Sequence, residues 1–300
     1  YFSQSTDGVP GTRHDGELFG WSLTAGDVSG DGRDDLAVGA IYDWDDLGWS
    51  TGSVTMLYGG ADGLTGTGAQ RWSKDTTGVP GSGGSFDPET DDDSDLFGYQ
   101  VVLADINGDG RADLATAAPG APVTVDGVRK RDAGTLTVLY AGDGAISSAG
   151  AVEVSQQDTG MPGVAGQEDH LGVTLAGGDV TGDGAAELAL YSDGDGYVTV
   201  IPGGLSFDSA QGWTQNSDGI PGASEPGDEW GNSLRFADVA GTGMASLVVG
   251  ADGENTAQGA FTVIPGTSTG LTGVGSRYFS QNTAGVPGTA ENGDRFGAFY

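Results

Sequence analysis

The sequence contains no cysteine and only two histidines, His14 and His170. Without cysteine the chain forms no disulfide and offers no thiolate as a nucleophile or zinc ligand. The same absence leaves the redox compartment undetermined. Neither histidine has a serine or carboxylate at a spacing that indicates a catalytic partner, so we interpret both as loop residues. Chemistry based on a thiolate or an imidazole is therefore not expected.

Basic residues are also scarce, because 11 Lys and Arg face 43 Asp and Glu, giving a formal net charge of −32. Such a charge repels a phosphate backbone, since non-specific binding to nucleic acid depends on Lys and Arg. It also disfavours docking on anionic lipid. No run of the sequence approaches the roughly 20 apolar residues of a spanning helix. We therefore predict no nucleic-acid partner and no membrane insertion.

Glycine is abundant, with 58 residues, and 36% of the residues are hydrophobic. This much glycine nears the composition of disordered chains, but aromatic and aliphatic residues occur along the whole sequence and supply a core. We interpret the glycines as turns of an all-β protein. No stretch has a helical period of adequate length.

A phrase made of an anchor residue, a hydroxyl residue, a spacer and Gly-X-Pro-Gly occurs five times. In every copy the first glycine follows the anchor by six residues, whereas successive copies lie 59 to 82 residues apart. The variation places insertions in loops and leaves the framework constant. The first glycines of the phrase are Gly8, Gly78, Gly160, Gly219 and Gly285.

Each repeat holds four short strand patterns separated by glycine-rich turns, which is typical of the four-stranded antiparallel blade of a β-propeller. We predict four full blades at approximately residues 17–74, 95–156, 169–215 and 228–281, within a single domain of residues 1–300. Residues 1–4 are expected to be the outer strand of a preceding blade. Residues 296–300 are expected to be the first strand of a following blade.

Nine-residue acidic loops join the first and second strands of the first three blades. Side-chain oxygens at positions one, three, five and nine and a backbone carbonyl at position seven suit a hard cation that takes six to eight oxygen ligands. We predict about three Ca²⁺ sites, with an acidic hairpin turn without metal as the alternative. The predicted ligands are Asp27, Ser29, Asp31, Arg33 and Asp35; Asp105, Asn107, Asp109, Arg111 and Asp113; and Asp179, Thr181, Asp183, Ala185 and Glu187.

Three comparisons sharpen this prediction. A helix-flanked calcium loop requires a glutamate at position twelve, but that position is Val38, Thr116 or Leu190 here. Magnesium is disfavoured because it retains its waters and demands a tight octahedron. The fourth loop, residues 238–246, keeps the glycines but has Ala240 and Thr242 at three and five and Ser246 in place of the acid at nine. We expect it to form the same turn without metal.

The order of Phe-Gly, acidic loop and Leu-Ala-Val-Gly-Ala in residues 19–40 resembles the FG-GAP repeats of the integrin α-subunit head and their bacterial relatives. The resemblance covers essentially the whole chain and is most specific in the first two blades. It implies a seven-bladed propeller, of which these blades would be part. It also implies calcium under the blades and a ligand on the opposite face.

Long insertions at residues 41–51, 82–96 and 119–133 are placed by blade topology on the face opposite the acidic loops. Variable loops on a rigid scaffold commonly carry binding sites. Tyr42, Trp44 and Trp49 lie in the first insertion and are candidates to stack on a sugar or anchor a protein. The alternative is that these aromatic residues pack onto neighbouring blades. The basic run 129–131 and the acidic run 91–93 are interpreted as solvated loops.

These patterns predict a calcium-stabilised module, secreted or at the cell surface, that binds a protein or glycan without catalysis. One alternative is a carbohydrate-binding lectin, although the aromatic insertion is not repeated from blade to blade. The other is the propeller domain of a secreted polysaccharide-degrading enzyme. An enzyme requires a general base and a charge-neutralising group in one cleft, and the scarcity of basic residues disfavours acidic polysaccharides.

Overall fold

The computed structural model describes residues 1–44, 51–81 and 94–298. It divides into two compact units, the first comprising Tyr1–Asp158 with Val164–Val173 and the second comprising Thr159–Gly163 with Thr174–Tyr300. Each unit holds two four-stranded antiparallel sheets. The predicted all-β class, with four-stranded antiparallel blades of a β-propeller, is confirmed. No helix among the described residues is both long enough and apolar enough to span a membrane.

The first unit contains the first and second blades. The first blade is β1 (Leu23–Gly26), β2 (Asp35–Ala40), β3 (Ser53–Gly60) and β4 (Gly63–Trp72), paired in that order. The second blade begins with β5 (Gln100–Ala104) and β6 (Asp113–Ala118), followed by a small hairpin of β7 (Val123–Val125) and β8 (Val128–Lys130). It is completed by β9 (Thr135–Gly142) and β10 (Ala145–Val154). The basic run 129–131 therefore begins in this hairpin.

The second unit contains the third and fourth blades. The third blade is β11 (Thr174–Gly178), β12 (Glu187–Ser192), β13 (Tyr197–Ile201) and β14 (Gln211–Trp213), with single 3₁₀ turns at Gly203–Leu205 and Phe207–Ser209. The fourth blade starts with β15 (Trp230–Ala237) and β16 (Ser246–Ala251). A one-turn helical segment, α1 (Glu254–Ala257), precedes β17 (Ala260–Ile264). A short hairpin of β18 (Gly266–Thr267) and β19 (Gly270–Leu271) precedes β20 (Arg277–Phe279), which pairs with β17.

The core lies at the middle strands of each sheet. All six residues of β6 and all six of β12 are buried, which explains why these strands read as continuous apolar runs without alternation. The fully buried side chains include Met56 and Leu114 in the first unit and Leu188 in the second. Burying one such side chain stabilises the fold by about 1.5–3 kcal/mol.

Two glycines of the repeat are required by a close backbone contact. A Cβ atom on Gly39 in β2 would lie 2.2 Å from the carbonyl oxygen of Gly98, the glycine of the second Phe-Gly pair. The hydroxyl of Ser22 donates to the same carbonyl at 2.7 Å. Any side chain at Gly39 would therefore separate these backbones. The second unit repeats this contact with Gly250, Gly297 and Ser233.

The chain termini differ from the sequence-based expectation. Residues 1–4 and 296–298 form no strand. Gly297 nevertheless contacts the fourth blade as Gly98 contacts the first.

Candidate functional site

The first aspartate of each acidic loop closes a tight turn. The two carboxylate oxygens of Asp105 accept the backbone N–H groups of Gly108 and Gly110, both at 2.7 Å. Both glycines have positive φ angles, 76° and 87°, a backbone conformation that favours glycine. The equivalent bonds are made by Asp27 to Gly30 and Gly32 and by Asp179 to Gly182 and Gly184.

The ninth residue ties the loop to the third strand of its blade. Asp113 accepts the N–H groups of Ile106 at 3.1 Å and Asn107 at 3.2 Å, and its other oxygen accepts that of Ala141 in β9 at 2.8 Å. Asp35 and Glu187 make corresponding bonds in their own blades. All three ninth-position carboxylates are buried.

The third and fifth positions supply further side-chain oxygens, and the position-five acids are exposed. Asp31 accepts the backbone N–H of Arg33 at 2.9 Å and pairs with its guanidinium. Asp109 accepts the N–H of Arg111 at 3.0 Å, and Asp183 that of Ala185 at 2.9 Å. The position-three side chains are Ser29, Asn107 and Thr181. Each has an oxygen that could bind a metal, two residues before the position-five acid.

Electrostatics set the buried ninth position apart from the exposed ones. Burial raises the pKa of Asp113 to about 6, the negative charge of Asp109 adds to the rise, and the backbone donors only partly oppose it. Burial also raises the pKa of Glu187, with Asp183 and Asp179 adding to the rise. These carboxylates are therefore crowded by like charge in a poorly solvated site.

The donor set fits calcium. Among the described residues no Lys or Arg pairs with a ninth-position carboxylate. A buried carboxylate without a counter-ion is costly unless a cation compensates it. Carboxylate, amide, hydroxyl and backbone carbonyl oxygens are the ligands that calcium prefers. The first, third, fifth, seventh and ninth residues are the ones that would hold the ion.

The loop at residues 238–246 shows which features belong to the turn alone. Asp238 accepts the N–H groups of Thr242 at 3.0 Å and Gly243 at 2.8 Å, and these donors lower its pKa. The third and ninth residues here are Ala240 and a buried Ser246. The turn thus forms without the acidic ligand set. The metal prediction therefore depends on positions three, five and nine.

On the predicted ligand face, Tyr42 and Trp44 are 41% and 45% exposed. The ring of Trp44 stacks on that of His14, with 5.5 Å between centroids. The backbone carbonyl of Trp44 accepts a hydrogen bond from the Arg71 guanidinium at 3.1 Å. Arg71 also forms an ion pair with the buried Asp43 at 2.7 Å. Two aromatic rings of the insertion are thus presented to solvent. Trp49 and the acidic run 91–93 lie outside the described residues.

His14 lies in a loop, and the structure gives it a carboxylate partner that the spacing of the sequence did not identify. Its Nδ1 lies 2.7 Å from Oε1 of Glu17, and its backbone N–H donates to Oε2 at 2.8 Å. The signal in the sequence is an acid two residues before each aromatic-Gly or Leu-Gly pair. The residues at this position are Glu17, Asp95, Asp169, Asp228 and Asp294. Glu17, Asp169, Asp228 and Asp294 each accept the N–H three residues earlier, which indicates a structural role.

A second acidic group was not anticipated. One oxygen each from Glu225, Asp228 and Glu254 lies within 4.8 Å of the others. Glu225 and Asp228 line a cavity of about 490 Å³, which Tyr191 and Trp230 also line. All of these residues belong to the second unit.

The repeat of this chain matches the model of a known protein family. Residues 19–42 and 97–139 match the FG-GAP repeat. The chain is 32% identical over 180 residues to phosphatidylinositol-glycan-specific phospholipase D of Bos taurus and 29% identical over 180 residues to the protein of that name from Homo sapiens. Each alignment covers 58% of this chain, and the chain spans 18% of the length of these relatives.

Similar solved structures include two rhamnogalacturonan lyases. The enzyme from Bacillus licheniformis is 14% identical with a TM-score of 0.40, over 91% of this chain and 51% of that one. Rhamnogalacturonan lyase YesW is 13% identical with a TM-score of 0.42, over 90% of this chain and 51% of that one.

Proposed function

The chain belongs to the FG-GAP repeat proteins, and from that premise we propose that it is a calcium-stabilised extracellular module that binds a protein or glycan ligand without catalysis. The observation that carries the proposal is the buried ninth-position carboxylate, exemplified by Asp113, which has no basic partner among the described residues. A calcium ion would compensate this charge. It would also stabilise the contact between the acidic loop, which joins the first two strands of the blade, and the third strand.

The proposed ligand face lies at the other end of the blades. In the first blade the connection after β2 meets the segment before β1, because the N–H of Tyr42 donates to the carbonyl of Glu17 at 3.3 Å. In the fourth blade the N–H of Gly253 donates in the same way to Asp228 at 3.2 Å. In each of these blades the connections leave the strands at the end opposite the acidic loop, so the proposed loop ions do not occupy that end of the blade.

Exposed aromatic residues support binding at this surface. Tyr42 and Trp44 each keep more than two fifths of their surface open to solvent, and exposed aromatics of this kind anchor sugars and proteins. Arg71 and His14 fix the position of Trp44. A rigid aromatic side chain loses little conformational entropy when it binds.

Export follows from the class of calcium site. Extracellular modules bind calcium with dissociation constants of about 10⁻⁴ to 10⁻³ M. We assign the proposed loops, which combine carboxylates with neutral oxygens, to that range, in which the sites would be filled outside a cell. We therefore propose that the protein is secreted or at the cell surface.

The test is a glycan and extracellular-matrix array probed with calcium and with excess chelator. We expect retention on a defined ligand in calcium and loss of retention in Trp44→Ala. Trp21→Ala is the matched control, because Trp21 has a similar exposed fraction, 49%, outside the insertion. Retention on sugars alone would favour the lectin form of the proposal. Turnover of any polymer, or equal retention by the two variants, would contradict it.

A further inference from the structure

The acidic cluster of Glu225, Asp228 and Glu254 comes from two separate connections of the fourth blade. Glu225 and Asp228 precede β15, and Glu254 follows β16. The backbone bond from Gly253 to Asp228 holds the two connections together. Asp228 and Glu254 are buried, at 4% and 6% exposure, and Glu225 is exposed. Two of the three carboxylates are therefore largely removed from bulk water.

No basic side chain of the second unit compensates this cluster among the described residues. The Lys and Arg residues of that unit are Arg235, Arg277 and Arg295. Arg235 donates to the carbonyl of Leu234, and Arg277 lies over the ring of Phe279. Arg295 pairs with Asp252 at 3.0 Å. Burial raises the pKa of Glu254, and the negative charges of Asp228 and Glu225 add to the rise.

An independent observation at the cluster points to a ligand. Gln215 is 97% buried, and its Nε2 donates to Oε2 of Glu254 at 2.8 Å. Its Oε1, the other atom of the same amide, is buried and has no hydrogen-bond partner. Gln215 lines the same cavity as Glu225 and Asp228. Buried polar atoms of folded proteins nearly always have a partner, so this oxygen marks a place where a cation or a donor belongs.

Two residues at comparable positions of the first unit form ion pairs. Asp43 and Glu254 each lie three residues past the second strand of their blade, and Asp43 pairs with Arg71. Lys74 and Gln215 each lie two residues past an outer strand, and Lys74 pairs with Glu153 at 2.6 Å. Glu254 carries the acid of the Asp43 position without such an arginine partner among the described residues, and Gln215 carries an amide where the first blade ends in Lys74; the other copies of this position are Gln4, Gln156 and Gln281.

We propose that Glu225, Asp228, Glu254 and Oε1 of Gln215 bind one divalent cation, Ca²⁺, at a site separate from the acidic loops. Oxygens that share a calcium ion lie no more than about 5 Å apart, given metal-oxygen distances of about 2.3–2.6 Å, and the three carboxylate oxygens meet this limit. The oxygens of Asp228 and Glu254 that accept N–H groups retain further lone pairs for a metal.

Four protein oxygens do not complete the six to eight ligands of calcium. The remaining positions open toward the cavity of about 490 Å³ that Tyr191 and Trp230 line. Oxygens of a bound molecule can complete the coordination there. The site would thus place a metal ion at the end of the fourth blade opposite its acidic-loop position at residues 238–246.

The experiment counts calcium bound per chain by equilibrium dialysis at about 1 mM free calcium, within the range of extracellular modules. Wild type is compared with Glu225→Gln, with Glu225→Gln/Glu254→Gln and with Asp193→Asn. The Asp193 control removes the same charge from the same cavity outside the acidic cluster. Thermal unfolding in chelator checks that every variant folds. Glu225 is exposed, so its single variant provides a test free of core disruption.

We expect the double variant to bind one calcium ion fewer than wild type, with weaker binding in Glu225→Gln and no change in Asp193→Asn. The one-ion difference is independent of the loops, because it persists even if loop sites bind nothing. Equal counts in wild type and the double variant would overturn the proposal. A second dialysis adds a lysine-rich peptide to the wild-type protein. If the protein binds this peptide and calcium does not displace it, the proposal is overturned, because an ammonium group would then be the cation that fills the site.

Discussion

The loops at residues 105–113 and 238–246 share a backbone turn and differ in their oxygen donors. Asp105 and Asp238 accept the same pair of N–H groups, from positions five and six of their loops. The loop at residues 105–113 adds Asn107, Asp109 and the buried Asp113, where the loop at residues 238–246 has Ala240, Thr242 and Ser246. The turn is therefore a property of the first aspartate and the glycines. We propose that metal binding is a separate property, added by the other three positions.

Removal of calcium is expected to have the largest effect, because it should act on the first three blades and leave the loop at 238–246 unaffected. Each site filled at 100 times its dissociation constant stabilises the folded state by about 2.7 kcal/mol. Calorimetry in calcium and in excess chelator measures the loss. We expect a clear fall in melting temperature in chelator. An unchanged melt would mean that the two kinds of loop do not differ in metal binding.

The matched substitutions Asp105→Asn and Asp238→Asn separate the turn from the metal. Each weakens the same turn bonds, but only Asp105→Asn removes a proposed ligand. In calcium, Asp105→Asn should cost about 2.7 kcal/mol more than Asp238→Asn if the site is filled at 100 times its dissociation constant. In chelator the two variants should unfold at the same denaturant concentration. Equal costs in calcium would remove the distinction between the loops.

The pH dependence of stability in chelator should show a smaller effect. Of the two loops compared, it concerns only the one at residues 105–113, which has an acid at position nine. Burial raises the pKa of Asp113 to about 6, above the ordinary value of about 3.9 for an unfolded chain. Its contribution to stability is therefore fully present below the unfolded pKa and is lost as the pH rises through about 6. Relative to Asp113→Asn, wild type should gain stability as the pH falls through this window.

Denaturant unfolding at a series of pH values measures this gain, and calcium should remove it by holding the carboxylate in its charged form. Ser246, at the same position of the fourth loop, has no proton to lose in this range. Parallel curves for wild type and Asp113→Asn in chelator would contradict the raised pKa.

The smallest effect is expected at position seven. Arg111 pairs with Asp109 at 3.1 Å, and both side chains are about one third exposed. Such surface pairs contribute about 0–1 kcal/mol. Position seven is proposed to bind calcium through its backbone carbonyl, so Arg111→Ala should retain calcium binding with little change in stability. A calcium titration of the variant that showed loss of the site would assign the arginine side chain a role that the proposal does not include.

The parts of the structure that repeat along the chain were predictable from the sequence. Spacing alone identified the four blades and the loop positions, because the turn at Asp105 uses residues within nine positions of one another. The partner of His14 was missed because the acid before each aromatic-Gly or Leu-Gly pair was not recognised as part of the repeat. The cluster at Glu254 was missed for another reason. Gln215 and Glu254 are 39 residues apart, and no local pattern shows which connections meet.

The most direct test of the account is a crystal structure of the protein grown in calcium. The account predicts an ion in each of the loops 27–35, 105–113 and 179–187, bound by six to eight oxygens at about 2.3–2.6 Å, and none in the loop 238–246. Water among splayed carboxylates at Asp27, Asp105 and Asp179 would contradict it.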